Sequence, residues 1–205
     1  TLTDMFLGGH SRIGSTGELS LIGKALALDQ VCSCGAALRT CEAWSRVFDL
    51  MRPRGADWPD CPYSLRLWDQ LAWGKIDRRQ QTLGFTWGDC DVVVDSSKSF
   101  HEAVELAQRW PERVRLLVVA RDGRGVYHSR RTTGRPRAES VRGWRQYYRR
   151  ALPLIEARVP AAQRMHIRYE DLASNPAAVG QAICDFLGVP FEPGMLDLGR
   201  TTRHL

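Results

Sequence analysis

Two stretches of this 205-residue chain concentrate groups suited to gripping anions. The first is Gly8-Gly9-His10-Ser11-Arg12-Ile13-Gly14-Ser15-Thr16. Glycines let backbone amides approach an anion closely, Ser and Thr add hydroxyl donors, and a helix starting behind them would add amides and a favourable dipole. The nucleoside-triphosphate loop ends in Gly-Lys-Ser/Thr, whereas here the cation, Arg12, lies two residues before Gly14. A plain Gly-rich turn is the alternative. The second stretch is Arg121-Asp122-Gly123-Arg124-Gly125-Val126-Tyr127-His128-Ser129. Arg121 can fork onto a phosphate with a bidentate geometry that Lys lacks, and Ser129 adds a hydroxyl one helical face further on. The alternative is an ordinary ion pair between Arg121 and Asp122 or another neighbour.

Between Arg121 and Arg150 the chain carries ten arginines against Asp122 and Glu139, a local balance of +8 where the whole chain has +6. Such a block marks an anionic partner, or else a solvated helix face. Candidate proton acceptors are Glu18, Asp95 and His10, and Lys98 is a further candidate cation. Asp95-Ser96-Ser97 reads equally well as the cap of a helix starting near Phe100. Cys32, Cys34 and Cys41 crowd into ten residues, open to metal ligation, to one disulfide or to three reduced thiols. They leave the redox compartment open.

The elements that must position these groups alternate between strand and helix. Met5-Phe6-Leu7, Val92-Val93-Val94, Val114 to Ala120 and Met165 to Tyr169 read as strands, the third nearly continuous in apolar residues, as in a strand covered on both faces. Ala103, Leu106, Ala107 and Trp110 form one helical stripe; Val141, Trp144, Tyr148, Leu152 and Ile155 form a longer one. Asn175 before Pro176 is an N-cap with Pro at the first helical position; Val179, Ile183, Phe186 and Leu187 then face inward until Gly188 stops the helix. This alternation predicts an α/β fold, a parallel sheet with helices on both sides, whose ligands gather at the carboxyl ends of the strands.

Arg12-x-Gly14-Ser15-Thr16 resembles the 5′-phosphosulfate loop of the sulfotransferase superfamily, in the Arg-bearing form of tyrosylprotein and several carbohydrate sulfotransferases. Arg121 to Ser129 resembles the family's 3′-phosphate motif, with Gly123 in place of Pro and the spacing kept. Arg168-Tyr169-Glu170-Asp171-Leu172 with Asn175-Pro176 resembles its later Tyr-Glu-Asp-Leu…Asn-Pro stretch, and Val93-Val94-Asp95-Ser96-Ser97-Lys98 looks like a stretch of bacterial members.

The resemblance implies a single domain over residues 1–205, a three-layer parallel sheet flanked by helices with the P-loop-like sulfotransferase fold. It implies 3′-phosphoadenosine-5′-phosphosulfate as donor and 3′-phosphoadenosine-5′-phosphate as product. Ser11, Arg12, Ile13, Gly14, Ser15 and Thr16 would hold the 5′ end, and Arg121 and Ser129 the 3′-phosphate. Tyr169 would line the adenine or 3′-phosphate region, with a core Tyr as the alternative. Sulfuryl transfer resembles phosphoryl transfer, and no metal is required if fixed donors stabilise the charge that builds in line. Arg12 is the candidate for the leaving oxygen. Gly17-Glu18 looks like the family's Gly-Glu dipeptide, which would make Glu18 the base, with Asp95 as substitute and Lys98 on the sulfuryl oxygens. In the family that dipeptide follows the loop only after a helix and a turn, so residues missing between Thr16 and Gly17 are an expectation; otherwise Glu18 is an acidic residue in a first helical turn.

No apolar run approaches the 18 residues of a membrane span. The expected location is cytoplasmic, although the chain does not begin with Met and an earlier leader or anchor remains open. By the resemblance, the end at His204-Leu205 is expected to fall short of where relatives finish. The acceptor, expected to be a small molecule, carbohydrate or peptide, is not legible; Trp58, Trp68, Trp73 and Trp87 could stack on a sugar or aromatic acceptor, with core aromatics as the alternative. The rival readings are a P-loop small-molecule kinase, which lacks its loop Lys and magnesium Asp here, and a polyanion-binding module. A nucleic-acid partner is not expected, because it leaves the first phosphate loop unexplained. Oligomeric state is not legible.

Overall fold

The structure is a computed structural model and describes residues 2–18, 21–42, 44–45, 90–132, 134 and 136–200. Trp58, Trp68, Trp73, Trp87, Cys61, Arg135 and the terminal His204-Leu205 lie outside the described residues. The chain packs as two compact units, residues 1–98 with 191–205, and residues 99–190.

In the first unit, helix α1 spans Leu2–Leu7, where the apolar Met5-Phe6-Leu7 predicted a strand. Three apolar residues do not separate the two states. Asp4 in the first turn and the Gly8 N–H donating to the Asp4 carbonyl at 2.9 Å complete a helix that Gly8-Gly9 then ends. The strand, β1, is Ile13–Ser15 and falls within the stretch expected to be a loop. It pairs in parallel with β2, Val92–Val94, in the register Ile13 to Val92, Gly14 to Val93 and Ser15 to Val94. Helix α2, Ile22–Ala27, buries Ile22, Ala25 and Leu26. The buried Asp4 carboxylate accepts from Ser15 Oγ at 2.6 Å and Ser96 Oγ at 2.9 Å, tying α1 to β1 and to the chain after β2. A buried carboxylate is tolerable because it is hydrogen-bonded.

The second unit opens with helix α3, Phe100–Arg109, whose N-cap is Ser99. Asp95 does not cap it; its Oδ1 accepts the Ser97 N–H at 2.9 Å and the Ser97 hydroxyl, closing a local turn. Strand β3, Leu116–Ala120, pairs in parallel with β4, Arg164–Arg168, over five residues from Leu116 with Arg164 to Ala120 with Arg168. Helices α4, Gly123–Arg131, and α5, Arg137–Gln146, follow, and a π-helical segment, Tyr147–Ala151, joins α5 to α6, Leu152–Arg158. Val104, Ala107, Val118, Ile155 and Val159 form one buried cluster of this unit, with Leu116, Tyr147 and Leu152 packed on it. Helices α7, Tyr169–Ser174, and α8, Pro176–Leu187, complete it. Asn175 Oδ1 accepts the Ala178 N–H at 3.4 Å, and Gly188 adopts φ 76°, so both ends of α8 are closed as its sequence predicted. Ile183 and Cys184 are buried, and Val179, Phe186 and Leu187 half-buried.

Candidate functional site

The carboxyl end of β3 opens into a cleft of about 610 Å³ whose walls include Arg121, Tyr127, Arg137, Trp144, Tyr148 and Arg168. Arg121, the residue just after the strand, lays its guanidinium over the ring of Tyr169, 3.9 Å from the centroid. Tyr169 follows β4 directly, so the parallel pairing of the two strands brings both residues to one end of the sheet. Arg121 is fixed from the other side as well: its carbonyl accepts from Trp144 Nε1 at 2.9 Å and from Tyr148 OH at 3.5 Å. The rings of Trp144 and Tyr148 lie 4.7 Å apart. Sequence placed these two on an apolar stripe. Their polar tips were the available signal, because a buried Trp N–H or Tyr O–H looks for a partner.

Two glycines make room. A Cβ on Gly125 would lie 3.1 Å from Arg121 Nε, and a Cβ on Gly123 would lie 3.1 Å from the Trp144 indole. The Gly standing where the resembling motif has Pro is therefore the residue against which Trp144 packs.

Asp122 caps α4, accepting the Arg124 N–H at 2.8 Å and, from one edge of the Arg124 guanidinium, the Nε and Nη2 donors at 3.0 Å each. Arg124 holds the Asp122 carboxyl down at about 2. Arg121 is thus not the partner of Asp122; that ion pair belongs to Arg124. The Asp122 N–H donates to Glu170 Oε1 at 2.9 Å, which holds Glu170 below the usual carboxylate range. Ser129 is exposed on α4. Arg124, Arg131, Arg137, Arg142, Arg145, Arg149 and Arg150 are exposed too.

In the first unit, Ser11 and Arg12 are exposed, whereas Ile13, Gly14, Ser15 and Thr16 are buried. The Ser11 N–H donates to Glu192 Oε2 at 2.8 Å and its hydroxyl to Glu192 Oε1 at 2.5 Å, which holds Glu192 below the usual carboxylate range. These two donors therefore already grip an oxyanion. The buried His10 accepts the Arg12 N–H on Nδ1 at 2.9 Å, and that nitrogen lies 3.7 Å from Glu192. The Arg12 guanidinium, 52% exposed, pairs with Asp91. Thr16 does not offer its donors outward: its N–H and its hydroxyl both donate to the Val94 carbonyl at 3.0 Å. Ser15 Oγ is committed to Asp4. Parallel pairing with β2, which the apolar run Val92–Val94 makes favourable, is what takes up this end of the motif.

Gly17 turns the chain at φ 65° and brings Glu18 into an ion pair with Lys98, 37% and 54% exposed respectively. Glu18 precedes α2 and so is not in a helical turn. Lys98 itself sits at φ 63°, a left-handed conformation uncommon for a side-chain-bearing residue. Burial pulls its amine below the usual lysine range, with the charge of Asp4 acting in the opposite sense. Glu18 and Lys98 are thus brought together, whereas Asp95 is occupied by Ser97. Sequence reasoning missed Asp91 and Glu192, acids far along the chain from the groups they engage.

Parallel strands alternating with helices define an α/β protein of the P-loop-like sulfotransferase fold. A sulfotransferase domain from the curacin biosynthetic pathway matches at TM-score 0.57 and 20% identity, over 96% of this chain and 72% of that one. A sulfotransferase domain from the Synechococcus PCC 7002 olefin synthase matches at TM-score 0.59 and 21% identity, over 98% of this chain and 74% of that one. Comparison with curated protein sequences finds no match. The model of the sulfotransferase family matches residues 1–193, and the chain belongs to that family. Among the described residues, no helix is long and apolar enough to cross a membrane.

Proposed function

We propose that this chain transfers a sulfuryl group from 3′-phosphoadenosine-5′-phosphosulfate to a hydroxyl or amine of a small-molecule, carbohydrate or peptide acceptor. The observation that carries the reading is the fixed Arg121 guanidinium at the carboxyl end of β3, backed by Tyr169 and bordering an open cleft. The residues fit a phosphate there: a planar, always-charged fork is held at its carbonyl and its face, which lowers the entropy lost on binding. Ser129 contributes a hydroxyl to the same 3′-phosphate.

The 5′ end of the donor is assigned to the stretch from Ser11 to Thr16. Ser11 is the exposed donor of the motif, and its N–H and hydroxyl, now on the Glu192 carboxylate, must leave it to take an oxyanion of the donor. Arg12 neutralises the charge that builds on the leaving oxygen as the acceptor displaces it in line. Glu18, paired with Lys98, takes the acceptor's proton, and Lys98 contacts the sulfuryl oxygens. Asp95 is the less suited base, because its Oδ1 already accepts from Ser97.

The test is calorimetric titration with the adenosine bisphosphate product and with ATP, followed by transfer of labelled sulfate to a panel of hydroxyl and amine acceptors. Tight binding of the bisphosphate with ATP ignored supports the reading; preference for ATP points to a kinase and overturns it.

A further inference from the structure

The strongest feature outside this chemistry is the convergence of Cys32, Cys34 and Cys41 in the first unit. Their three sulfurs lie within 4.8 Å of one another, and Cys34 Sγ is 3.6 Å from Cys41 Sγ. A zinc ion bound tetrahedrally at about 2.3 Å from each sulfur would hold thiolates about 3.8 Å apart. The observed spacing is close to that value and far from the roughly 2.05 Å of a disulfide. We propose that Cys32, Cys34 and Cys41 form a site for one zinc ion, with the fourth position taken by water or an added ligand.

The backbone explains why three thiols meet. The Gly35 N–H donates to the Cys32 carbonyl at 2.8 Å, and the Cys32 N–H donates to the Ala36 carbonyl at 2.8 Å. Gly35 adopts φ 89°, and Val31 bridges Ala37 in antiparallel fashion, so the segment is a tight hairpin carrying two cysteines at its tip. A single residue between them is short enough that only such a turn brings both sulfurs to one point. A 3₁₀ turn, Leu38–Thr40, with the Cys41 N–H donating to the Ala37 carbonyl at 2.9 Å, carries the third sulfur back to the first two.

The burial pattern agrees with a metal brace. Cys32 and Cys41 are buried and Cys34 is exposed, so the cluster has two anchored ligands and one edge open to solvent. Leu38 and Trp44, which flank Cys41 in sequence, are 2% and 0% exposed. Three thiolate donors of this type select a soft or borderline cation over magnesium or calcium. Binding releases the thiol protons to solvent and changes no oxidation state. The ion would pin the turn after α2 to Cys41, and its role is separate from sulfuryl transfer.

The test uses the full chain, purified under reducing conditions and without affinity metals. Metal analysis is expected to find one equivalent of zinc that chelator removes and added zinc restores, and cobalt substitution should give the intense thiolate-to-cobalt absorption of a sulfur-rich tetrahedral site. Cys34→Ser, chosen because Cys34 is exposed and the variant should fold, should weaken zinc binding by roughly a hundredfold or more, while Cys90→Ser keeps it. Zinc binding unchanged by Cys34→Ser overturns the proposal. So does the absence of zinc with all thiols reactive, or a mass two daltons low with two thiols missing, which would assign Cys34 and Cys41 to a disulfide.

Discussion

The Arg121 guanidinium stacks on Tyr169 with 3.9 Å to the ring centroid, and each residue follows directly on one of two paired parallel strands. Strand pairing thus fixes the relationship: the register that sets Ala120 against Arg168 also sets Arg121 beside Tyr169. Arg121→Ala should weaken binding of 3′-phosphoadenosine-5′-phosphate by about 1.5–3 kcal/mol through lost charge-assisted hydrogen bonds. Arg121→Lys should recover only part of this, because the stacked fork is lost. Calorimetry reads both; unchanged affinity in the alanine variant removes Arg121 from the 3′-phosphate role.

Gly125 gives a cleaner probe, since its change removes no binding group. Gly125→Ala sets a methyl 3.1 Å from Arg121 Nε and should displace the guanidinium, lowering bisphosphate affinity by about threefold to tenfold. Within α4, alanine raises helix preference by about 0.5–1 kcal/mol, so the thermal midpoint should hold or rise. Affinity and stability moving together would count against this account of Gly125.

Arg12→Ala should abolish or strongly reduce sulfuryl transfer while changing bisphosphate affinity little, because its interaction strengthens only as the leaving oxygen gains charge. Transfer kinetics alongside calorimetry separate the two. Normal turnover would take Arg12 out of the mechanism.

Glu18→Gln should lower kcat by roughly 10²–10⁴-fold and remove the acidic limb of the pH–rate profile, whereas Asp95→Asn should mainly disturb the Ser97 turn. The reverse ranking would transfer the base role to Asp95.

Asp122 makes a pH prediction. Its folded-state pKa is depressed to about 2, against an ordinary value near 4, so its contribution is present above about pH 4 and disappears as pH falls through 2. The thermal midpoint should decline over that window, and Asp122→Asn should flatten this part of the decline. An unaltered profile in the variant would show that the cap of α4 contributes nothing measurable.

The elements easiest to foresee carried two independent signals. For α8 the Asn175-Pro176 start and the Gly188 stop agreed with the apolar spacing between them, and β2 and β3 were apolar runs rich in valine and bounded by polar residues, whereas β4, Arg-Met-His-Ile-Arg, carried a weaker signal. Met5-Phe6-Leu7 had one signal only and proved helical. The Arg12 to Thr16 stretch was read from its glycine and hydroxyls as a loop, but pairing with Val92–Val94, contributed from nearly eighty residues away, made Ile13–Ser15 a strand. Such long-range pairing leaves no local trace. The same applies to Glu192 on Ser11 and Trp144 on Arg121, where the partner is chosen by the fold and not by spacing.

The π-helical segment Tyr147–Ala151 sets the phase of everything beyond it. Each α-helical residue advances the azimuth by about 100°, and a π turn accommodates one residue more than an α turn. Upstream of the segment, Trp144 is aimed at the Arg121 carbonyl; downstream, Ile155 is aimed at Val104 and Val118. Excising one residue from 147–151 would leave a regular helix able to satisfy one of these directions only. A sulfotransferase shortened there by a single codon would therefore trade its grip on the arginine against its interior packing.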